Sequence, residues 1–222
     1  MMYFCNDMNI AVLGSGPKLT SWMRKENAAL SYVQDTKSHS NYEVFIDLDF
    51  DEHPERITEY SSNKETIFLL NTCLITLEAA FHRANILYDG QKMLGINAFP
   101  LMSERDLLEL TSPFDFIPSE DVFEILGYKP EWVGSRVGFV TPRIICMIIN
   151  EAYFTVQEGT ASKADIDTAM KLGTNYPKGP FEFVSEFGIK QVYLLLEALY
   201  NDTHDERYKI ASLLKTEFLK AQ

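Results

Sequence analysis

"NIAVLGSGPKLTSW" (residues 9–22) sets a short apolar run, Ile10 to Leu13, against Gly14-Ser15-Gly16 and then a segment that can start a helix. A strand that turns through Gly-x-Gly into a helix is how a dinucleotide-binding loop begins. In such a loop the first glycine permits the tight turn and the second lets the backbone approach a pyrophosphate. A third lets helix and strand pack closely. That third place is Leu19 here, and Pro17 can set the first helical turn. Two readings stay open: a cofactor loop that has lost a glycine, or a plain strand-to-helix turn. Gly14 and Gly16 are the candidate cofactor-binding positions. Asp35 lies near where a ribose-binding acid belongs, although a solvated loop aspartate is a nearly equal alternative.

Working outward, "AALSYV" (28–33), "YEVFIDL" (42–48) and "ETIFLL" (65–70) read as further strands. Their nearly continuous apolar content is that of strands covered on both faces. "KMLGINAF" (92–99), "DLLELT" (106–111) and "KPEWVG" (129–134) read as shorter strands. "SEDVFEILG" (119–127) reads as a helix capped by Ser119 and closed by Gly127. The pattern predicts an α/β domain with a largely parallel sheet. One connection is short. About eight residues separate Val33 from Tyr42, and a helical crossover needs about ten to twelve or more. Either those strands are antiparallel, or the unit between them has been cut down.

From about residue 137 the pattern becomes helical throughout, which divides the chain into 1–136 and 137–222. Thr141-Pro142 is a helix start, with a capping hydroxyl followed by proline. The helix that follows runs to Gly159 and is apolar nearly all round through its first half, so it should be buried in a core or an interface. "SKADIDTAMKLG" (162–173) pairs Ser162 with Asp165 at its start and can end at Gly173. Residues 188–201 and 205–221 read as two more helices, with Ile210, Leu213, Leu214 and Phe218 on one face of the last.

The 222 residues are 46% hydrophobic and 23% charged, with a net charge of −12. That suits a folded globular protein and argues against nucleic acid or an anionic membrane as partner, since phosphate binding needs clustered Lys and Arg. Cys5, Cys73 and Cys146 are too scattered for a zinc site and read as free thiols in a reducing cytoplasm. No signal-peptide pattern and no membrane-spanning run is evident. The four histidines, His39, His53, His82 and His204, read as surface or structural residues.

The segment "GFVTPRIICMIINEAYFTVQEGTASKADIDTAMKLGTNYPKGPFEFVSEFG" (138–188) resembles the C-terminal domain of the 3-hydroxyacyl-CoA dehydrogenases. A helix ending in EG, an S-K-x-D-I-D-x-A-M-K-L-G helix and a Y-P-x-G-P-F-E loop occur in that family's order. The resemblance extends backwards more weakly. "VFIDLDFDEHPERI" (44–57) is similar to the family's third strand and following helix. "TIFLLNTC" (66–73) is similar to its fourth strand and loop, and "LGINAFPLMSERDLLELT" (94–111) to the segment with its catalytic pair.

The resemblance implies a reduced Rossmann-like nucleotide-binding domain, an all-α C-terminal domain and a homodimer through the C-terminal helices. It also implies NAD-dependent oxidoreduction of 3-hydroxyacyl-CoA, in which a histidine held by a glutamate takes the hydroxyl proton. In this chain Asn97 aligns with the histidine, Glu109 with the glutamate, Cys73 with a substrate-side serine and Pro142 with an asparagine. An amide is not a base near neutral pH, although it hydrogen-bonds well. The expectation is therefore weak or absent turnover, with Asn97 and Glu109 polarising the substrate and Cys73 donating if any chemistry remains. The alternative is a non-catalytic acyl-CoA- or nucleotide-binding regulatory homodimer.

Overall fold

The computed structural model describes residues 8–25, 27 and 29–221. Cys5 and the first residue of the 28–33 run lie outside them. The chain divides into two compact units, Met1–Arg136 and Val137–Gln222.

The first unit is a seven-stranded sheet: β1 (Ile10–Leu13), β2 (Leu30–Val33), β3 (Val44–Asp47), β4 (Ile67–Asn71), β5 (Met93–Ile96), β6 (Leu107–Thr111) and β7 (Lys129–Trp132). The strand order is β2-β1-β3-β4-β5-β6-β7. Strands β1 to β5 are mutually parallel, β6 is antiparallel to β5, and β7 is parallel to β6. The helices are α1 (Gly16–Met23), α2 (Ile57–Tyr60), α3 (Leu77–Ala84) and α4 (Glu120–Leu126). Two apolar cores cover the sheet. One gathers Ile10, Val12, Ile46, Leu94 and Leu110 with Trp22 and Phe123. The other gathers Ala11, Phe45, Phe68 and Met93 with Tyr60 and Phe81.

The short connection is the cut-down unit, and the antiparallel alternative is wrong. β2 and β3 do not pair; they flank β1, both parallel to it. Residues 34–43 carry one 3₁₀ turn, His39–Asn41, and no helix. Ten residues reach about 33 Å, whereas the path back along a strand and across two strand spacings is about 16 Å, so an irregular link suffices. In the doubly wound order 3-2-1-4-5-6, the neighbour of the first strand on that side is the fourth. Here β3 occupies that place, and the likeness of residues 44–57 to a third strand is corrected. Among the described residues nothing lies beyond β2, which is therefore an edge strand, half exposed rather than covered on both faces. β7 is the opposite edge, and Pro130 is tolerated because edge strands need not donate on both sides.

The second unit holds α5 (Thr141–Gln157), α6 (Lys163–Thr174), α7 (Pro180–Phe187), α8 (Ile189–Thr203) and α9 (Ser212–Lys220). α5 packs on each of the other four. It buries Ile145, Cys146, Ile149, Ala152 and Tyr153, but Ile144 is half exposed, so only one face is covered. Thr141 is the first helical residue rather than the cap, a position held by Val140. Ser162 caps α6 by accepting the Asp165 N–H, as its pattern predicts, but α6 runs past Gly173 to a left-handed Asn175.

The Y-P-x-G-P-F-E stretch, read as a loop, opens helix α7. Asp167 of α6 accepts the Phe181 N–H at 2.8 Å, and Glu182 reaches back to the Gly179 N–H at 2.9 Å and to Lys171. These carboxylates satisfy donors that a helix start leaves open. The expected helix over 205–221 is interrupted. Buried Asn150 donates to the Lys209 carbonyl at 2.8 Å and accepts the Ala211 N–H at 2.9 Å, which holds 209–211 extended before α9. No helix among the described residues is long and apolar enough to cross a membrane.

A Cβ added at Gly95 on β5 would lie 2.4 Å from the Thr72 hydroxyl and 2.5 Å from that of Thr111. Gly95→Ala should therefore cost about 1–3 kcal/mol of stability, the range for overpacking, measured as a lower denaturant midpoint at unchanged slope.

Candidate functional site

The antiparallel pairing of β5 with β6 matches Ile96 to Leu110, so the next residues, Asn97 and Glu109, face one another. The Asn97 N–H donates to the Glu109 carbonyl at 3.0 Å, and the Asn97 Nδ2 donates to Glu109 Oε2 at 3.2 Å. On its other side Asn97 Oδ1 accepts the Cys73 S–H at 3.4 Å and the Phe99 N–H at 3.2 Å. Cys73, Asn97 and Glu109 thus form one hydrogen-bonded chain across the carboxyl ends of β4 and β5 and the middle of β6. Asn97 and Glu109 are only 2% and 6% exposed, and Cys73 is fully buried.

The chemistry of this chain is that of an oriented amide. Both Asn97 termini are engaged, and neither can take a proton at neutral pH. Burial pushes the Cys73 thiol well above its ordinary range, with nearby Asp51 adding to the effect. It is a weak donor and not a thiolate nucleophile. None of the four histidines belongs to this hydrogen-bonded chain. His39 is buried among Phe45, Tyr60 and Phe68 and hydrogen-bonded to Asn63, and burial lowers its pKa. His53, His82 and His204 are exposed. Pro142, in the second unit, is the second residue of α5 and is buried.

The glycine loop links β1 to α1, and its two glycines do not divide the work as the motif suggests. Gly14 supplies close packing: a Cβ there would lie 2.9 Å from the Leu48 side chain. Gly16 supplies the left-handed turn, at φ +53°. Leu19 packs half-buried against the core containing Trp22. Asp35 follows β2 at the same edge of the sheet, because Val33 is paired with Leu13. It is exposed, and its Oδ1 accepts the Lys37 N–H at 2.9 Å, a local turn bond.

Four residues here escaped the sequence reading: Lys18, Asp51, Glu52 and Asn71. Lys18, in the first turn of α1, is 2% exposed and points at the loop after β3, with Nζ 2.6 Å from Asp51 Oδ1 and 3.0 Å from Glu52 Oε1. Burial alone would lower the lysine pKa, but the two carboxylates more than offset it and hold Lys18 protonated. Burial also pushes the Asp51 carboxyl up to about 6, against the pull of Lys18. Asn71, ending β4, donates to the Leu48 carbonyl at 2.9 Å and accepts the Ala98 N–H at 3.2 Å, tying the β3 and β5 loops together. A signal for the ion cluster was present: four acids in six residues, Asp47 to Glu52, end an apolar strand. Asp47 itself is consumed by Arg56, Tyr60 and the Asp49 N–H.

These residues do not fit a dinucleotide pyrophosphate. Pro17 removes one backbone donor from the first turn, and the only cation of that turn is turned inward and neutralised. The cluster of Lys18, Asp51 and Glu52 carries a formal −1 at the first turn of α1.

A Rossmann-type α/β unit is followed by a helical unit with five α-helices among the described residues. Residues 138–222 match the model of the 3-hydroxyacyl-CoA dehydrogenase C-terminal domain. The chain is 31% identical over 209 residues to 3-hydroxybutyryl-CoA dehydrogenase of Clostridioides difficile, covering 87% of this chain and 73% of that protein. It is 30% identical over 148 residues to the mitochondrial hydroxyacyl-coenzyme A dehydrogenase of Homo sapiens, covering 64% of this chain and 46% of that one. The crystal structure of (S)-3-hydroxybutyryl-CoA dehydrogenase from Ralstonia eutropha shares the fold, with a TM-score of 0.72 at 21% identity, over 96% of this chain and 94% of that one. The protein belongs to the 3-hydroxyacyl-CoA dehydrogenase family.

Lys18→Met leaves Asp51 buried without its main partner. It should cost about 3–5 kcal/mol at pH 8, the range for breaking a buried pair from one side. Losing Lys18 raises the Asp51 pKa further. At pH 5 the folded variant then holds Asp51 protonated, and the penalty shrinks. Urea unfolding of both proteins at pH 5 and pH 8 measures this, and an equal penalty at the two values would count against an ionised pair.

Proposed function

We propose that this protein is a 3-hydroxyacyl-CoA dehydrogenase-like protein that recognises an acyl-CoA-type ligand and carries out NAD-linked oxidoreduction weakly or not at all. The single observation behind this reading is the Asn97 amide, bonded on one side to Glu109 and on the other to Cys73; the resemblance gives that position to the family's histidine. Moving the hydroxyl proton needs a group whose pKa lies near the working pH, and such proton transfer typically contributes about 10²–10⁴ in rate. An amide in that place can orient a carbonyl through hydrogen bonds but cannot accept that proton.

Assembly through the C-terminal helices belongs to the same proposal. α6 buries none of its side chains within the chain, Leu172 is 83% exposed, and Ile144 and Leu219 are more than half exposed. Apolar surface of this kind is what an interface between two copies covers.

With acetoacetyl-CoA and NADH, followed at the NADH absorbance band, the natural protein should show little or no turnover. A rate typical of enzymes, about 1 s⁻¹ or more, would refute the assignment of the lost base to Asn97. Asn97→His should raise activity only partially, because Cys73 and Pro142 differ as well. Light scattering on a sizing column should give twice the chain mass of 25.4 kDa. Leu172→Asp should shift that mass toward the single chain; a natural protein of single-chain mass would exclude the dimer.

A further inference from the structure

The chain leaves β1 toward β2 on one side and leaves β3 toward β4 on the other. The loops after β1 and after β3 therefore part at the carboxyl edge, and this switch point is where an open α/β sheet offers a ligand crevice. In this protein the chain's own groups cross it. Gly14 packs directly on Leu48, whose carbonyl is held from behind by Asn71. Lys18 reaches from α1 to Asp51 and Glu52 in the β3 loop, at 2.6 and 3.0 Å, with its side chain 2% exposed.

We infer that the Lys18–Asp51–Glu52 bridge closes the crevice at the switch point, so that the glycine loop takes no dinucleotide. The bridge supplies the positive charge that a pyrophosphate would seek and cancels it with two carboxylates of the same chain. It also ties together the two segments that border the crevice, the first turn of α1 and the loop after β3. This inference deepens the proposed function, giving a cofactor-side reason for low turnover that is independent of Asn97.

The test uses the full natural chain. NADH fluorescence and calorimetry should show no saturable binding of NADH up to millimolar concentration, and inorganic pyrophosphate should give no heat. The paired variant Asp51→Asn/Glu52→Gln, which opens the bridge and leaves the Lys18 charge uncancelled, its fold checked by circular dichroism, should bind NADH at least tenfold more tightly than the natural chain. Acetylation by a soluble amine-reactive ester, read by mass spectrometry, should leave Lys18 among the slowest lysines, well behind exposed Lys37 and Lys215. The inference is overturned by micromolar NADH binding to the natural chain, or by a folded paired variant with no gain. If that variant does not fold, the acetylation decides: Lys18 labelled as fast as Lys37 overturns the closed bridge, and slow labelling upholds it. Calorimetry with acetoacetyl-CoA separates the two proposals. NADH binding without turnover removes the bridge and leaves the function; failure of acetoacetyl-CoA to bind removes the function and leaves the bridge.

Discussion

About ten residues carry the chain from the end of β2 to the start of β3, and that length constrains the rest of the first unit. It is shorter than the usual helical crossover, yet it reaches past β1 and begins again on its far side. The first three strands are thereby fixed as β2-β1-β3. β1 and β3 become fully buried neighbours, their side chains shared between both cores, while β2 is left as a half-exposed edge. The same neighbourhood brings the first turn of α1 against the acidic loop after β3.

Much of the fold was readable because its signals are local. Seven apolar runs bounded by turn residues gave seven strands, and Ser162 with Asp165 gave the start of α6. What failed depended on partners distant in sequence. Thr141 looked like a cap, yet the helix begins on it. Residues 205–221 looked like one helix, but Asn150, some sixty positions earlier, takes the backbone groups at 209–211 that a helix would use. The Y-P-x-G-P-F-E stretch looked like a loop because Gly and Pro dominate it. Its helix is started by Asp167 from the preceding helix.

The site was legible as identities and not as connections. Cys73, Asn97 and Glu109 are hydrogen-bonded in a row, because β5 and β6 pair in the register that sets Asn97 against Glu109. Gly14 and Gly16 were found, but their tasks are exchanged: one packs and the other turns. Asp35 reaches the right edge of the sheet and spends an oxygen on its own turn. Lys18 stayed unread because a lysine in a first helical turn usually faces water. Only the fold shows that it turns inward.

The Asn150 clasp bears on the order in which the second unit assembles. Its amide binds backbone separated from it by about sixty residues, and closing a loop of that size carries an entropy cost that local helix contacts must first offset. Helices α6 to α8 lie within that loop and can pack on α5 and on one another before it closes. The last helix is then a late arrival in folding and an early departure in unfolding, and the C-terminal end of the chain should be the first part of this unit to exchange its amide hydrogens with solvent.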